Sequence, residues 1–241
     1  MAYGGEFWRD GRLYSADCFN IRGLRVLSGA GEEELWNGTA TARPKPGGIQ
    51  LRFVSTDAAD GVAGTGIRTL RLDFIDTSGN RQFELITMNG TTPVLSVSVL
   101  ISSILSVTAT VVGSVGSAVG AISIKDGAAA VEYDKIAIGH VATVAGVFVV
   151  PAGNKAFLTA LLCSSSIAAL VRVRSNVNPA TGAVVTGAAF DWGSMYASAQ
   201  AATPTPREAI GPFPAGARIW LSGLAAGATV AAVADGYLQV A

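Results

Sequence analysis

Residues 85–124 contain no Asp, Glu, Lys or Arg, although Glu84 and Lys125 stand immediately on either side of them. This uncharged run is longer than the roughly 20 apolar residues that a membrane-spanning helix needs. Its composition argues against a helix in lipid, because serine recurs along it and Pro93 lies near its start. The basic clusters and aromatic belts that commonly flank membrane spans are also missing. The run therefore predicts a segment that is covered by protein.

Apolar and small polar residues alternate within this run with a period of two. Leu95, Val97 and Val99 alternate with serines, and a second stretch alternates valine and alanine with serine and threonine. Two-residue alternation and β-branched side chains are typical of strands. We predict strands near 94–101 and 104–113, each with an apolar face in a core and an uncharged Ser/Thr face that a neighbouring subunit covers.

The overall composition restricts the partners of the chain. Its 241 residues have a formal net charge of +0, so they offer no positive field for nucleic acid and no basic face for anionic lipid. Charged residues make up 14% of the chain, against about a quarter in typical domains. So few charges cannot cover an independent surface, which predicts that part of the exterior is buried against copies of the chain or against other proteins.

The two cysteines, Cys18 and Cys163, lie far apart in the sequence and do not form a disulfide framework. We predict that both are reduced, buried thiols in a protein made in a reducing compartment. The N-terminal sequence MAYGGEFWRDGRLYSADCF lacks the apolar core of a secretory signal. The expected place of synthesis is a cytoplasm.

Short strands separated by Gly and Pro turns predict an all-β fold with two β-sandwich or jelly-roll-like domains. The irregular N-terminal region, which includes RPKPGG, predicts an extended arm. Aromatic side chains on such an arm would be exposed, so we expect Trp8, Tyr14, Phe19 and Trp36 to anchor it on a neighbouring surface. The predicted divisions are an arm over 1–45, a first β domain over 46–127 and a second over 128–241.

One hairpin can be predicted in detail. Leu70, Leu72 and Phe74 alternate with charged residues and are expected to face the core. The sequence DTSGN then predicts a turn, and RQFELITM predicts a return strand with Phe83 and Leu85 facing inward.

Candidate catalytic and metal-binding groups are sparse. His140 is the only histidine, and no nucleophile-elbow motif accompanies it, so a turn residue is the favoured interpretation. One histidine and two distant cysteines supply no zinc ligand set. The sequence therefore assigns no catalytic residue, metal ligand or cofactor, and it favours a structural protein over an enzyme.

Several acidic groups leave alternatives open. Asp73, Asp76 and Asn80 lie close enough in sequence to bind calcium, but the closing glutamate of a calcium-binding loop is missing, so an ordinary hairpin turn is the favoured interpretation. Asp57/Asp60 and Asp73/Asp76 are pairs that a glycosidase could use if they faced each other across a groove. The acidic triplet Glu32–Glu34 fits either a solvated patch or a contact with a basic partner.

One long segment, from WNGTATARPKPGG to NGTTPV, resembles a pattern in virion structural proteins of tailed bacteriophages. The pattern joins a Trp-Gly segment, a Ser-bearing strand with a nearby Asp, a Gly-Thr-Gly-x-Arg-Thr turn, a Glu-bearing strand and Asn-Gly-Thr-Thr-x-Val. A later segment, VVPAGNKAFLTALLCSSS followed by VRVRS, resembles the second half of such proteins. The residues that match the first pattern are Trp36, Gly38, Ser55, Asp60, Gly64, Thr65, Gly66, Arg68, Thr69, Glu84, Asn89, Gly90, Thr91, Thr92 and Val94.

This resemblance implies a β-rich, multi-copy component of the phage particle, made in the host bacterial cytoplasm and located in the virion. The first hypothesis is a capsid decoration, or cement, protein that binds the major capsid protein as a homotrimer. Its arm aromatics would be the anchors, and Arg68 would pair with a carboxylate. The alternative is a tail, neck or fibre protein that binds a host receptor through a loop holding Phe190, Trp192 and Tyr196.

Overall fold

The computed structural model describes residues 17–29, 31–35, 47–143, 146–197 and 209–241. These residues form antiparallel sheets and no helix, which confirms the predicted all-β, sandwich-type fold. No helix in the described part is long and apolar enough to cross a membrane. The strands are β1 (Asp17–Val26), β2 (Glu33–Glu34), β3 (Leu51–Ser55), β4 (Ile67–Asp76), β5 (Arg81–Thr87), β6 (Val94–Leu95), β7 (Ile101–Val112), β8 (Ile122–Asp126), β9 (Glu132–Ile136), β10 (Val147–Val149), β11 (Asn154–Ser165), β12 (Ala169–Ser175), β13 (Phe190–Ala197), β14 (Ile210–Phe213), β15 (Arg218–Leu224) and β16 (Thr229–Val240).

Two sheets form a first sandwich. One has the strand order β6-β3-β8-β9 and the other has the order β5-β4-β7. Alternate residues of each strand enter a shared apolar core, in which Phe53 of β3, Leu72 of β4 and Ile124 of β8 are fully buried. The two-residue period of the sequence is therefore the pattern of a half-buried sheet.

The β4–β5 hairpin forms where the sequence predicted it. Leu70, Leu72 and Phe74 are buried, as expected. The turn is closed by Asp76, whose Oδ1 accepts the backbone N–H groups of Ser78 and Asn80, each at 2.9 Å.

The prediction that Phe83 and Leu85 face the core is wrong. Phe83 lies opposite Asp73, and Leu85 lies opposite Arg71. Residues directly opposite each other in an antiparallel pair share one face of the sheet. Because Arg71 and Asp73 are on the outer face of β4, the two apolar side chains are outside as well, 60% and 57% exposed respectively.

The prediction of a strand near 94–101 is also wrong over most of that range. Only Val94–Leu95 form a strand, and residues 96–100 cross from one sheet of the sandwich to the other. The alternation is inverted, since Ser96 is buried and Val97 is 86% exposed. The cause is local hydrogen bonding: Ser96 Oγ accepts the N–H of Leu51 at 2.9 Å, which holds this serine inside.

The second predicted strand of the uncharged run exists as β7, over Ile101–Val112 rather than 104–113. Val107 faces the core, whereas Ser106 and Thr108 lie on the outer face opposite Asp73 and Arg71 of β4. This strand thus has the predicted apolar inner face and neutral Ser/Thr outer face.

A second sandwich contains the sheets β1-β16-β11-β14 and β10-β15-β12-β13, with β2 added beside β15. Val171 and Val173 are fully buried here, and Arg172 and Arg174 face outward. Trp192 lies in β13 within the stretch that the sequence assigned to a loop.

The division of the chain differs from the predicted one in two places. Asp17–Val26, assigned to the extended arm of residues 1–45, form strand β1, which pairs along its whole length with β16. Strand β9, assigned to the second domain, pairs with β8 and contributes Tyr133 and Ile136 to the first core. The boundary at 127/128 is therefore displaced beyond β9, because Tyr133 and Ile136 of β9 are buried in the core of the first sandwich.

Candidate interaction surface

The β5–β4–β7 sheet presents an outer face that is mostly neutral and partly apolar. Strand pairing places Thr69 opposite both Thr87 and Val111, and it places Arg71 opposite both Leu85 and Thr108. Phe83 completes the face at the free edge. We call this set the outer sheet face, and its members are Thr69, Arg71, Phe83, Leu85, Thr87, Thr108 and Val111.

Beside this face, the carboxylate of Asp73 is paired with two cations. Arg71 donates from Nε and Nη2 to the two oxygens of Asp73 at 3.0 and 2.9 Å, and Arg81 lies 3.7 Å from the same carboxylate. The Arg71 guanidinium also lies over the Phe83 ring, 4.6 Å from its centroid. Such an arrangement keeps the charged groups flat against the sheet and leaves the apolar surface of Leu85 uncovered.

Ser55 and Gly66 of the phage-like pattern lie against the buried carboxylate of Asp60. Its Oδ2 accepts the Ser55 hydroxyl at 2.7 Å and the Gly120 N–H at 2.7 Å. Its Oδ1 accepts the N–H groups of Ile67 at 2.8 Å and Val119 at 3.1 Å. A fully buried carboxylate that accepts four hydrogen bonds is an internal connector of three chain segments.

The glycines of this pattern allow the segments to approach. A Cβ on Gly64 would lie 1.9 Å from the backbone oxygen of Ala59, and one on Gly66 would lie 2.1 Å from Asp60 Oδ1. Gly90 adopts a φ of +58° and passes directly over Ala58. The glycines therefore serve close packing around Asp60, and the pattern marks a structural unit of the first sandwich.

Arg68, a predicted partner-binding residue, lies in the same unit. Its Nε donates to the backbone oxygen of Gly64 at 2.8 Å and so stabilises the turn that precedes β4. The guanidinium therefore has a local structural task within the chain.

The acidic triplet contacts arginines of its own chain. Glu32 accepts hydrogen bonds from Arg172 Nη1 at 2.7 Å, from Arg174 Nε at 2.6 Å, and from Ser222. Hydrogen bonding from Arg174, reinforced by Ser222 and by the charges of both arginines, lowers the pKa of Glu32 to about 2 against the opposing effect of burial. The ionised carboxylate thus clamps residues 31–35 onto the β12–β15 surface.

The other two members of the triplet strengthen this attachment. Glu33 lies 2.6 Å from Arg25 Nη2, and it accepts the backbone N–H of Ser28 at 2.6 Å. Glu34 lies 2.6 Å from Arg218 Nη2. The basic partner of the triplet is therefore supplied by the chain itself. Its carboxylates pair with arginines that lie as many as 184 positions away in the sequence.

A cavity of about 490 Å³ lies where the two sandwiches meet. Its lining combines Cys18 and Asn20 of β1, Arg81 of β5, and Asp235 of β16 with neutral groups. Burial raises the pKa of Asp235, and the charge of Arg22 opposes that shift. The cavity lining supplies one carboxyl group among the described residues.

The remaining candidate groups are used locally. Asp57 Oδ1 accepts the N–H of Ala59 at 2.8 Å, and Asp76 closes the hairpin turn, which is the simpler of the two alternatives for that segment. The backbone of His140 closes another turn through its N–H to Ala137 at 3.1 Å. Over the described ranges no group of three or more His, Cys, Asp or Glu residues is placed to hold a metal ion.

The predicted anchors have different outcomes. Trp8, Tyr14 and Trp36 lie outside the described residues. Phe19 is not an exposed anchor, because it is buried in the second core and stacks on Phe148 with ring centroids 4.0 Å apart. The thiol prediction is correct for buried Cys163 and wrong for Cys18, which is exposed at the start of β1.

The aromatic residues of the predicted receptor-binding loop also differ in their burial and contacts. Trp192 packs against Phe213 and donates its Nε1–H to the Val177 oxygen at 3.1 Å, so it is a structural residue. Phe190 is partly buried at the first position of β13, and Tyr196 is 79% exposed on the same strand.

Sequence reasoning missed the exposed apolar residues of β5. The signal was present, because counting outward from the DTSGN turn places Phe83 opposite Asp73 and Leu85 opposite Arg71. A charged residue at one position of an antiparallel pair indicates that its neighbour across the turn is also outside. The register of the hairpin would have identified the outer sheet face.

Comparison with known proteins gives no assignment: no protein-family model matches the chain, and no curated protein is significantly similar to it.

Proposed function

We propose that this chain is a bacteriophage virion structural protein, and specifically a capsid decoration protein that binds the major capsid protein and stabilises the shell as an oligomer. The observation that carries the proposal is the outer sheet face, where exposed Leu85 and Val111 stand among threonines and the guanidinium of Arg71 is paired with Asp73. A neutral, partly apolar sheet face is suited to burial against another protein surface.

The phage-like pattern supports the proposal in a second way. Ser55, Asp60 and Gly66 of the pattern pack together inside the first sandwich, so this part of the resemblance is carried by residues with a shared structural role. The mechanism would be passive: buried contact area between subunits and shell resists outward pressure, and no reaction is needed.

Attachment is tested with the full chain and with a variant that lacks residues 1–16. Residues Asp17–Val26 are strand β1, so a longer N-terminal deletion would remove a core strand and prevent folding. We expect the full chain to co-sediment with expanded, undecorated phage heads, and the shortened chain to stay in the supernatant. Binding that persists without residues 1–16 would exclude Trp8 and Tyr14 as anchors, and no binding of the full chain would refute the decoration role.

A tail, neck or fibre protein that binds a host receptor is the second candidate. The observation that favours it is Tyr196, a large aromatic side chain that is 79% exposed on edge strand β13. Such a residue is a typical anchor in recognition surfaces. Labelled protein that binds host cells, and loses binding on Tyr196→Ala with its fold intact, would support this candidate over shell attachment.

A further inference from the structure

Strand β5 is an edge strand whose outer backbone groups are directed away from the molecule. In the β4–β5 ladder, the N–H of Met88 bonds to the Arg68 oxygen at 2.8 Å, and the N–H of Asp76 bonds to the Asn80 oxygen at 2.9 Å. In an antiparallel pair, hydrogen-bonded and non-hydrogen-bonded positions alternate. The even-numbered residues of β5 therefore bond to β4, and the N–H and C=O groups of Phe83 and Leu85 point off the sheet.

The opposite edge of the same sheet, strand β7, is covered by another segment of the chain. Strand β7 is covered by the segment that follows β9, because the N–H of Ala109 bonds to the Val141 oxygen at 2.7 Å and the N–H of Thr143 bonds to the Val107 oxygen at 3.0 Å. Within the described ranges no segment pairs with β5 on its outer side. Proteins usually protect exposed edges with charge, proline or bulges, and the centre of β5 presents Phe83 and Leu85 there instead.

We propose that two copies of this chain associate by pairing their β5 strands antiparallel around a two-fold axis at Phe83. The contact joins the two β5–β4–β7 sheets into one continuous sheet. The backbone groups of Phe83 and Leu85 then gain partners, and their exposed side chains form one apolar strip across the axis.

The groups placed opposite Glu84 favour an axis at Phe83 over an axis at Glu84 or Leu85. Three axes pair the outward-pointing groups of Phe83 or Leu85 with those of the same two residues: one at Phe83, one at Leu85 and one centred at Glu84. An axis at Glu84 would place two carboxylates directly opposite each other, which is destabilising. An axis at Leu85 would place each Glu84 opposite an Ile86. An axis at Phe83 places each Gln82 amide opposite the Glu84 carboxylate of the second copy, to which it donates.

The Glu84 carboxylate is held in place by hydrogen bonds within its own chain before the second copy binds. Its carboxylate accepts the N–H groups of Val97 at 2.5 Å and Ser98 at 3.2 Å, so it is fixed beside the edge. The inference is independent of the proposed virion role, and it gives a dimer in place of the trimer expected from the sequence.

The first test measures the mass of the full chain by sedimentation equilibrium across a concentration series. We expect a reversible dimer. Phe83→Lys places two ammonium groups together at the axis and should raise the dissociation constant at least tenfold, with an unchanged circular dichroism spectrum. Val240→Lys, at a site 70% exposed on β16, is the matched control and should leave the dimer intact. A monomeric wild type, or a dimer indifferent to Phe83→Lys, would overturn the proposal.

The second test fixes the register. In a Cys18→Ser background, Phe83→Cys should form a disulfide-linked dimer under copper–phenanthroline oxidation, because the two position-83 side chains meet at the axis. Leu85→Cys, which lies opposite Arg81 in this register, should not cross-link. Cross-linking at position 85 without cross-linking at 83 would overturn the proposed axis.

Discussion

The Ser55 hydroxyl donates to the Asp60 carboxylate at 2.7 Å, and neither side chain reaches solvent to any extent. These two residues belong to the pattern that resembles phage virion proteins, and they join β3 to the loop that precedes β4. The presence of Ser55 and Asp60 in the pattern is therefore explained by burial of one carboxylate with its four donors.

Replacing Asp60 by Asn should lower the stability of the first sandwich. The amide has one acceptor oxygen in place of two, so backbone donors of Val119, Gly120 or Ile67 lose their charged partner. We expect a loss of about 2–4 kcal/mol in the free energy of unfolding, measured by urea denaturation. Asp57→Asn, which removes charge from a side chain with one local bond, should change it by less than about 1 kcal/mol.

Replacing Gly64 by Ala should be strongly destabilising. The new Cβ would lie 1.9 Å from the Ala59 oxygen, a distance that requires the backbone to move. The expected loss is about 3 kcal/mol or more, read from the shift in thermal midpoint. Gly47→Ala is the control, because no atom lies within 4 Å of its Cβ position; equal losses for both variants would refute the packing explanation.

The sequence predicted correctly which residues of β4 face the core, but it did not do so for β5. Alternation shows which residues share a face, but pairing decides which face is buried. Leu70 and Leu72 were assigned correctly because their neighbours are charged. Phe83 was assigned wrongly because its face is determined by Asp73 across the turn.

Long-range contacts explain most of the remaining differences. Ser96 is buried because it bonds to Leu51, which lies 45 positions away. Glu32 meets Arg172 and Arg174 only when the second sandwich is assembled. Local patterns contain no information about such partners, whereas they predicted the all-β class and strand β7 well.

The stability of the second sandwich should depend on pH through Glu32. Its pKa in the folded state, about 2, is below the ordinary value of 4.5, so its stabilisation is complete above pH 4.5 and is lost as the pH falls through 2. Because the group is partly solvated, we expect about 1–2 kcal/mol rather than the full value of the shift. Glu32→Gln should remove this acid-dependent component from urea denaturation curves measured between pH 6 and pH 2, whereas Glu132→Gln in the first sandwich should retain it.

The two thiols should differ in reactivity. Cys18 is exposed, whereas Cys163 is buried with its Sγ 3.2 Å from Met195 Sδ, and burial raises the pKa of the Cys163 thiol. The thiolate is the reactive form, so a thiol reagent at pH 8 should modify Cys18 rapidly in the native protein and Cys163 only after unfolding. Rapid native modification of a Cys18→Ser variant would contradict this burial.

The measurement that tests the proposed role most directly is the copy number of this chain in purified virions, obtained by quantitative mass spectrometry against the major capsid protein. A decoration protein occupies symmetry-related sites over the whole shell. The predicted result is a copy number comparable with that of the major capsid protein. A number matching a single tail or neck ring, or absence from the particle, would contradict the decoration role.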